Sequence, residues 1–323
     1  MRRLLISSLS LLLLCCQRHR EEDRPGVPQT DAPVARTGAL TMPSFEAMRL
    51  VLLGSGTPTP DPARSKPAVA IIAEGHPYIV DFGAGLVGRA IEGNALGIEA
   101  LDIRRLTRGF ATHLHSDHTS GLSDLWLTPA AVGRMNPLEI YGPPGIAEMA
   151  SNIFAAYRED LAVRTHGRPM DSLPPGYRME AKEIEPGVVY EDNRVKVTAF
   201  PVSHEAWTHA YGYRFDAKNR SIVISGDTAP TDTVAAACNG CDVLVHEVYC
   251  EAGFRMGPPG FQQYHGAAHT SAVQLARIAE SARPKLLVLY HLLFFGCTED
   301  QLLKEVTDNY SGDVALGHDL DIF

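Results

Sequence analysis

Four side chains that can bind a metal ion lie within six consecutive residues, at positions 113–118 (HLHSDH). His113 and His115 are two positions apart, so both rings point to the same side of an extended segment. Asp117 and His118 follow where the chain must turn towards the next helix. Neutral imidazoles and a carboxylate are the ligands expected for zinc. The spacing therefore predicts a metal site at a strand-to-loop edge, with ligands for parts of two adjacent metal centres.

The segment THLHSDH that ends at His118 resembles the signature of the metallo-β-lactamase superfamily, and the other pieces of that pattern follow in order. The segments similar to the family's remaining metal ligands are PVSH ending at His204, SGDT around Asp227 and LYH ending at His291. Two further segments resemble paired segments of the tRNase Z and arylsulfatase-like branch: VHEV around Glu247 and AHTS around His269. The resemblance covers Met48–Phe323 and implies a hydrolase.

The same resemblance implies two zinc ions per chain and assigns their ligands. The first metal takes His113, His115 and His204, and the second takes Asp117, His118 and His291. Asp227 bridges the pair, because two cations about 3.5–4 Å apart need a shared anion between them. Zinc lowers the pKa of bound water to about 7, so a metal-bridging hydroxide is the expected nucleophile.

Three residues are predicted to take part in catalysis: His269, Asp117 and Glu247. In the branch that the chain resembles, the histidine at the position of His269 stabilises the scissile group and protonates the leaving oxygen. Glu247 is expected either to orient a histidine from outside the metal shell or to be solvated. Structural or pocket-lining roles are expected for three other histidines, His209, His246 and His265.

Alternating apolar patterns predict the elements that position these residues. The predicted strands are Arg49–Gly54, Ala68–Ala73, Pro77–Asp81, Gly109–His113, Arg194–Phe200, Ala210–Phe215, Ser221–Ser225, Asp242–Val248 and Lys285–Tyr290. Helices are predicted near Leu86–Leu96, after Gly121 and at Ser271–Ser281. Strand-rich blocks followed by helices favour two sheets packed face to face with helices outside. The resemblance describes this α/β fold class as a four-layer αβ/βα sandwich, here a single catalytic domain over residues 48–323.

The N-terminus has the pattern of a secretory signal over residues 1–16. Arg2 and Arg3 precede an apolar stretch, Leu4–Leu14, that is too short to span a membrane. Cys15 and Cys16 follow, so cleavage is expected with or without lipid attachment of the lipoprotein type. Residues 17–47 are polar and proline-bearing and are predicted to form a flexible linker. These features predict a periplasmic or secreted protein, with membrane contact only through such a lipid anchor.

Four cysteines lie beyond the predicted signal: Cys238, Cys241, Cys250 and Cys297. Cys238 and Cys241 have the spacing of a zinc ribbon or redox motif, but no second pair lies at ribbon distance. Buried thiols or one disulfide formed after export are therefore the expected states.

The charge of the chain bears on its substrate. The formal net charge is −9, and it becomes −11 when residues 1–16 with their two arginines are removed. The segment Ala147–Gly187, where a tRNA-binding arm would be inserted, carries five basic and seven acidic residues. Binding RNA through phosphates requires a basic surface. The preferred hypothesis is therefore an exported dinuclear-zinc hydrolase of small anionic sulfate or phosphodiester esters, with no nucleic-acid partner expected.

Other functions remain open at this point. The main alternative is a tRNase Z-type endoribonuclease that processes tRNA 3′ ends. A lactonase or β-lactamase needs the same metals, and a metal-binding lipoprotein without catalysis is a further alternative. Trp126, Trp207 and Tyr211 are candidates for aromatic walls of the site, although core packing is the commoner role of such residues. The oligomeric state is not predicted.

Overall fold

The computed structural model describes residues 48–169 and 172–323 of the chain. The predicted signal sequence, residues 1–16, and the predicted linker, residues 17–47, lie outside the described residues, so both stay predictions. Among the residues that are described, no helix is long and apolar enough to cross a membrane.

Strands and helices alternate along the described chain. The strands are β1 Arg49–Gly54, β2 Ala68–Ala73, β3 His76–Val80, β4 Arg108–Phe110, β5 Leu138–Gly142, β6 Met179–Glu183, β7 Gly187–Glu191, β8 Lys196–Pro201, β9 Tyr211–Ala217, β10 Arg220–Ile224, β11 Val243–Tyr249, β12 Leu286–Leu293 and β13 Val314–Leu316. The helices are α1 Leu86–Ala95, α2 Ser116–Thr119, α3 Leu122–Ala131, α4 Ile146–Ala156, α5 Arg158–Arg164, α6 Asp232–Cys238, α7 Glu251–Arg255, α8 Pro259–Ala268, α9 Ala272–Ala282 and α10 Glu299–Thr307.

The strands form two sheets. One contains β1 to β6 in sequence order, and the other runs from β13 back to β7. In the first sheet, β1 to β3 pair antiparallel and β3 to β6 pair parallel. In the second, β7 to β10 pair antiparallel and β10 to β13 pair parallel. Each sheet therefore has a parallel half, whose strand ends can present side chains at one edge.

Buried apolar side chains give the order of the layers. Residues from both sheets, including Leu50, Ile71 and Tyr213, form one cluster between them. A second cluster joins the first sheet to α1, α3 and α4, and a third joins the second sheet to α6, α9 and α10. Burial of these faces removes apolar surface from water and is the main favourable contribution to folding. The predicted α/β fold with two face-to-face sheets and outer helices is confirmed.

The predicted elements agree with the structure best where apolar runs are long. The first two predicted strands have the observed bounds of β1 and β2, and the helix near Leu86–Leu96 is α1. The strand observed in place of the predicted Gly109–His113 is shorter, because β4 ends at Phe110 and the histidines lie in the loop beyond it. No element was predicted in Ala147–Gly187, which contains most of α4, all of α5 and β6, a strand paired with β5.

The cysteines differ from the expectation of buried thiols or one disulfide. The described part of the chain contains two disulfides, Cys238–Cys241 and Cys250–Cys297. The first closes a turn at the end of α6, and the second joins the end of β11 to the loop after β12. The second pair is 47 residues apart in sequence, so spacing along the chain could not reveal it.

Candidate metal and catalytic site

The residues predicted to do chemistry lie at one edge of the sandwich, beyond or near the carboxyl ends of strands from both sheets. His113, His204 and Asp227 each follow the last residue of a strand by three positions, after β4, β8 and β10. Glu247 and His291 lie within β11 and β12. Carboxyl ends of neighbouring parallel strands meet at the same sheet edge, and this brings segments distant in sequence together.

Three histidines form the first cluster of candidate metal ligands. His115 Nδ1 lies 3.0 Å from His113 Nε2 and 3.0 Å from His204 Nε2. The opposite nitrogen, His115 Nε2, accepts a hydrogen bond of 2.8 Å from the indole N–H of Trp207. The main-chain oxygen of Ala268 lies 2.7 Å from His204 Nδ1. The outer contacts fix the orientation of both rings, and three nitrogen atoms converge on one point.

Two histidines and two carboxylates form the second cluster. Asp227 Oδ2 lies 3.4 Å from His118 Nε2 and 3.3 Å from His291 Nε2. Asp117 Oδ2 lies 3.5 Å and 3.4 Å from the same two nitrogens. His113, His118 and Asp227 also form a group of their own within 4.8 Å, so Asp227 lies between the two clusters.

Asp81 supports both clusters from behind. It follows β3 directly in a left-handed conformation, with φ of 62°, which is uncommon for residues other than glycine, although aspartate adopts it more often than most. Its carboxylate lies 2.8 Å from His118 Nδ1 and accepts hydrogen bonds from the backbone N–H and hydroxyl of Thr112. The Thr112 hydroxyl in turn lies 3.0 Å from His113 Nδ1. Through these contacts Asp81 orients a candidate ligand of each cluster, His118 directly and His113 through Thr112.

Burial keeps the first cluster neutral. It lowers the pKa of His113 well below the usual range, and the nearby His118 lowers it further. Burial also lowers the pKa of His204 to about 4. A neutral imidazole has a free lone pair, which is the form that binds a metal.

The second cluster has the opposite electrostatics. Although burial opposes the charged form, the carboxylates of Asp227 and Asp81 raise the pKa of His118 well above its usual value. Burial opposes ionisation of Asp227 too, yet His291 and His118 hold its pKa well below the usual range. The buried carboxylates of Asp117 and Asp227 therefore require positive charge beside them.

His291 reaches the site through an irregularity in β12. Glu247 pairs with Tyr290 and Val248 pairs with Leu292, so His291 is an extra residue opposite no partner in β11. Its φ is 46°, a left-handed conformation that side chains other than glycine rarely adopt. A bulge of this kind turns one side chain out of the regular alternation, and such bulges are frequent beside active sites.

His269 lies against the second cluster with Glu247 behind it. His269 Nδ1 is 3.4 Å from Glu247 Oε2 and 3.9 Å from Asp227 Oδ2. Burial opposes a charge on the ring, but Glu247 and Asp227 raise the pKa of His269 above its usual value. Glu247 is fully buried, and its Oε1 accepts backbone N–H bonds from Thr270 and Thr228. Glu247 is therefore buried beside His269, so the alternative of a solvated glutamate is wrong, and the expected role of orienting a histidine stays a prediction.

The side chains present fit a resident metal. Several buried polar atoms have no hydrogen-bond partner among the described residues: His118 Nε2, His291 Nδ1 and Asp227 Oδ1. Buried polar groups are normally paired, so unpaired atoms in one cluster require an explanation. Candidate ligand groups with atoms within 4.8 Å of one another include His113-His115-His204 and Asp117-His118-His291. Groups of this composition could hold metal ions of the zinc type.

The three aromatic residues considered as walls of the site differ in where they lie. Trp207 is half-buried and touches His115, with ring centroids 5.1 Å apart. Trp126 and Tyr211 are buried in the core. Two further rings near the site, Phe261 and Phe295, were not singled out from the sequence, because single aromatic residues in loops and short helices have no distinctive spacing.

Comparison with known proteins shows the family. Residues 96–292 match the family model described as the beta-lactamase superfamily domain. A ribonuclease Z of Mycobacterium sp. (strain KMS) is 34% identical over 248 residues, which cover 76% of this chain and 84% of that protein. Human tRNase Z, short form, superposes with a TM-score of 0.61 at 25% identity, covering 85% of this chain and 98% of that one. The fold protein YhfI from Bacillus subtilis superposes with a TM-score of 0.65 at 18% identity, covering 85% and 98%.

These relatives overturn the preferred sequence hypothesis. The hypothesis of a small-ester hydrolase of the arylsulfatase type is wrong, and so is the expectation of no nucleic-acid partner. The error came from treating the net charge of −9 as a property of the site. Exposed charges separated by more than about 8 Å are largely screened at physiological salt, so distant acidic residues say little about the field at the metal cluster. Ribonuclease Z proteins are therefore relatives of this chain, and it is a metal-dependent hydrolase of ester bonds. The chain belongs to the metallo-β-lactamase superfamily.

Proposed function

We propose that this protein is a tRNase Z-type endoribonuclease with two zinc ions, which hydrolyses a phosphodiester bond at the 3′ side of tRNA-like RNA. The observation that carries the proposal is the 34% identity to a ribonuclease Z over 84% of that protein. The convergence of seven candidate ligands into two adjoining groups supports it. Two adjacent metals suit phosphodiester hydrolysis, which needs charge stabilisation on attacking and leaving oxygens.

The proposed ligand assignment follows the two clusters. His113, His115 and His204 would hold one zinc ion, Asp117, His118 and His291 would hold the other, and Asp227 would contact both. When bound, such a pair polarises the phosphoryl oxygens and makes water available as a nucleophile at neutral pH. Asp81 keeps His118 and Thr112 in place, as the outer partners of metal-binding histidines usually do.

His269 is the proposed general acid. The bond that breaks joins phosphorus to the leaving nucleoside oxygen, and that oxygen needs a proton as the water oxygen bonds to phosphorus. Glu247 and Asp227 favour the protonated form of His269, which raises its pKa against the effect of burial. Glu247 lies at Nδ1, so Nε2 is the nitrogen left for the substrate. Glu247 is a positioning residue, held by the backbone N–H groups of Thr228 and Thr270.

The test is cleavage of a 3′-extended precursor tRNA by the zinc-loaded protein, with the cut site mapped by sequencing. We expect one principal cut near the base of the acceptor stem and loss of cleavage in Asp227→Asn. Asp232→Asn, an exposed acid five residues further on, is the matched control and should cleave normally. Scattered cuts, or no cut under conditions where bis-nitrophenyl phosphate is hydrolysed, would contradict the proposal.

We also propose that the chain acts outside the cytosol. The sequence pattern of residues 1–16 supports export, and two disulfides support an oxidising compartment. Mass spectrometry of the protein recovered from fractionated cells tests this. A chain retaining residues 1–16 in the cytosolic fraction would contradict it.

A further inference from the structure

Three rings form a partly exposed surface beside the metal site, which we name the aromatic shelf: Phe261, His265 and Phe295. The ring centroids are 4.3 Å apart for Phe261 and His265, 4.7 Å for Phe261 and Phe295, and 4.7 Å for His265 and Phe295. All three side chains are half-buried rather than buried. Each ring therefore keeps part of its surface accessible to solvent.

The aromatic shelf is continuous with the proposed general acid. The His265 ring stacks on His269, with centroids 5.6 Å apart and planes 29° apart. His269 stacks in turn on His291, at 5.7 Å and 20°. A row of three imidazoles therefore connects a candidate metal ligand to the shelf, and a group resting there would adjoin the scissile bond.

The local sequence explains how the shelf is built. Phe261 and His265 are four residues apart on α8, so they share one face of the helix. Phe295 follows β12 in a left-handed conformation with φ of 50°. The disulfide Cys250–Cys297 joins the start of the α7–α8 segment to the loop that carries Phe295. The two sides of the shelf are thus covalently tied at their base.

The shelf packs on further aromatic side chains below it. Tyr249 is buried and lies 4.6 Å from Phe254 and 5.8 Å from Phe295, measured between ring centroids. His265 Nδ1 has no hydrogen-bond partner, and burial lowers the pKa of His265 to about 4. The ring is therefore neutral at physiological pH, and the shelf presents flat, uncharged surfaces.

There is room for a ligand next to the shelf. A cavity of about 390 Å³ lies between the loop Gly56–Arg64 and the end of β12 with the loop after it, Leu292–Gly296, and Phe295 is the shelf residue that lines it. Leu292, the residue after His291, lines the same cavity. A ligand in this space would touch both the shelf loop and the strand that carries a candidate metal ligand.

Resting on the proposed function, we propose that the aromatic shelf stacks a nucleobase of single-stranded RNA next to the scissile phosphate. The shelf offers ring faces rather than cationic groups, so the part of an RNA that it suits is a base rather than a phosphate. Base–aromatic stacking tolerates every base and does not depend on counterion release. The shelf therefore selects an unpaired nucleotide at the cut, whichever base it carries.

The experiment compares two RNA substrates in wild-type protein and in the double variant Phe261→Leu/Phe295→Leu. One substrate is a 3′-extended tRNA, and the other has abasic nucleotides on both sides of the cut. Losing the stacked base should lower kcat/KM roughly 5- to 150-fold, mainly through KM, as expected for one base–aromatic contact. The double variant should show the same loss on the normal substrate and no further loss on the abasic one. The factor should be equal at low and high salt.

The controls separate folding from stacking. Phe261→Tyr/Phe295→Tyr keeps both rings and should retain wild-type values, and Phe154→Leu, a partly buried ring packed on Trp126, should do so too. Equal metal content and melting temperature establish that each variant is folded.

Binding of fluorescein-labelled RNA, read by anisotropy, separates the two proposals. Wild-type cleavage that is indifferent to abasic positions overturns the shelf and leaves the proposed function intact. Absence of all RNA cleavage overturns the proposed function. In that case, base-dependent binding that the leucine variant loses supports the shelf, and base-independent binding overturns it.

Discussion

The metal cluster and the aromatic shelf lie side by side but are built on different principles. In the cluster, the side chains other than His115 are buried and charged or polar, and their nitrogen and oxygen atoms converge at short distances. In the shelf, the side chains are half-buried rings with contacts that depend on area and orientation. Chemistry requires particular atoms at particular points, whereas stacking requires only a flat surface.

The metal cluster and the aromatic shelf should therefore differ in which substitutions they tolerate. Replacing a cluster residue removes a ligand atom or leaves a buried charge unpaired, which is costly. Replacing one shelf ring by another ring preserves the surface. We therefore expect turnover to depend on the identity of cluster residues, and substrate affinity to depend on the ring character of shelf residues.

The largest effect is expected for Asp227→Asn. The substitution keeps the shape of the side chain but removes the charge that lies between His118 and His291. Metal content should fall from about two equivalents per chain, the number suited to a two-metal site, and turnover should be lost. Elemental analysis and an activity assay measure the two effects. Full metal content and full turnover in the variant would remove the basis for treating Asp227 as a shared ligand.

The next effect is expected for His269→Ala. Turnover should fall roughly 10²–10⁴-fold, the usual range for a lost acid or base, while both metals remain. His76→Ala, an exposed histidine at the start of β3, is the matched control. His269 also belongs to candidate ligand groups with Glu247 and His291, so a variant that loses a metal would make His269 a ligand instead.

A smaller effect on activity, with a clear effect on stability, is expected for Cys250→Ser/Cys297→Ser. The bridge spans 47 residues and should contribute about 4 kcal/mol to the free energy of unfolding on the chain-entropy estimate. The bridge Cys238–Cys241 spans three and should contribute about 2 kcal/mol. Urea titration of both double variants tests the ranking. KM for RNA should rise only in Cys250→Ser/Cys297→Ser, because only that bridge joins the two segments that carry the shelf rings. Equal KM values in the two double variants would show that the shelf does not depend on this disulfide.

The smallest effect concerns pH and His265. Burial lowers its pKa to about 4, whereas an unfolded histidine titrates near 6.5. Between these values the unfolded state binds more protons, so this group contributes stability that is complete above pH 6.5 and lost as the pH falls towards 4. His265→Phe should keep the shelf and make the loss of stability over that window smaller. Melting temperatures of both proteins at pH 7, 6, 5 and 4 give the comparison, and parallel curves would contradict it.

The sequence predicts the cluster better than the shelf for a physical reason. Four cluster residues lie within six consecutive positions, and the chemistry of metal binding restricts which residue types can occupy them. The contacts of Asp81 with His118 and Thr112 depend on the pairing of β3 with β4, which the sequence alone does not specify. The shelf brings α8 beside the loop after β12, and only tertiary packing joins them. Substrate choice was mispredicted because total charge averages over surfaces that the substrate never contacts.

The bulge in β12 has a consequence for what the deletion of a single residue would do to the site. Glu247 pairs with Tyr290 and Val248 with Leu292, so the ladder is regular on either side of His291. Deleting the single codon for His291 would leave two strands that pair without interruption, and the sheet would keep its buried pattern. One ligand would disappear while the sandwich remained folded. We therefore expect a chain that lacks His291 to keep the fold of this sheet and to lose one candidate metal ligand.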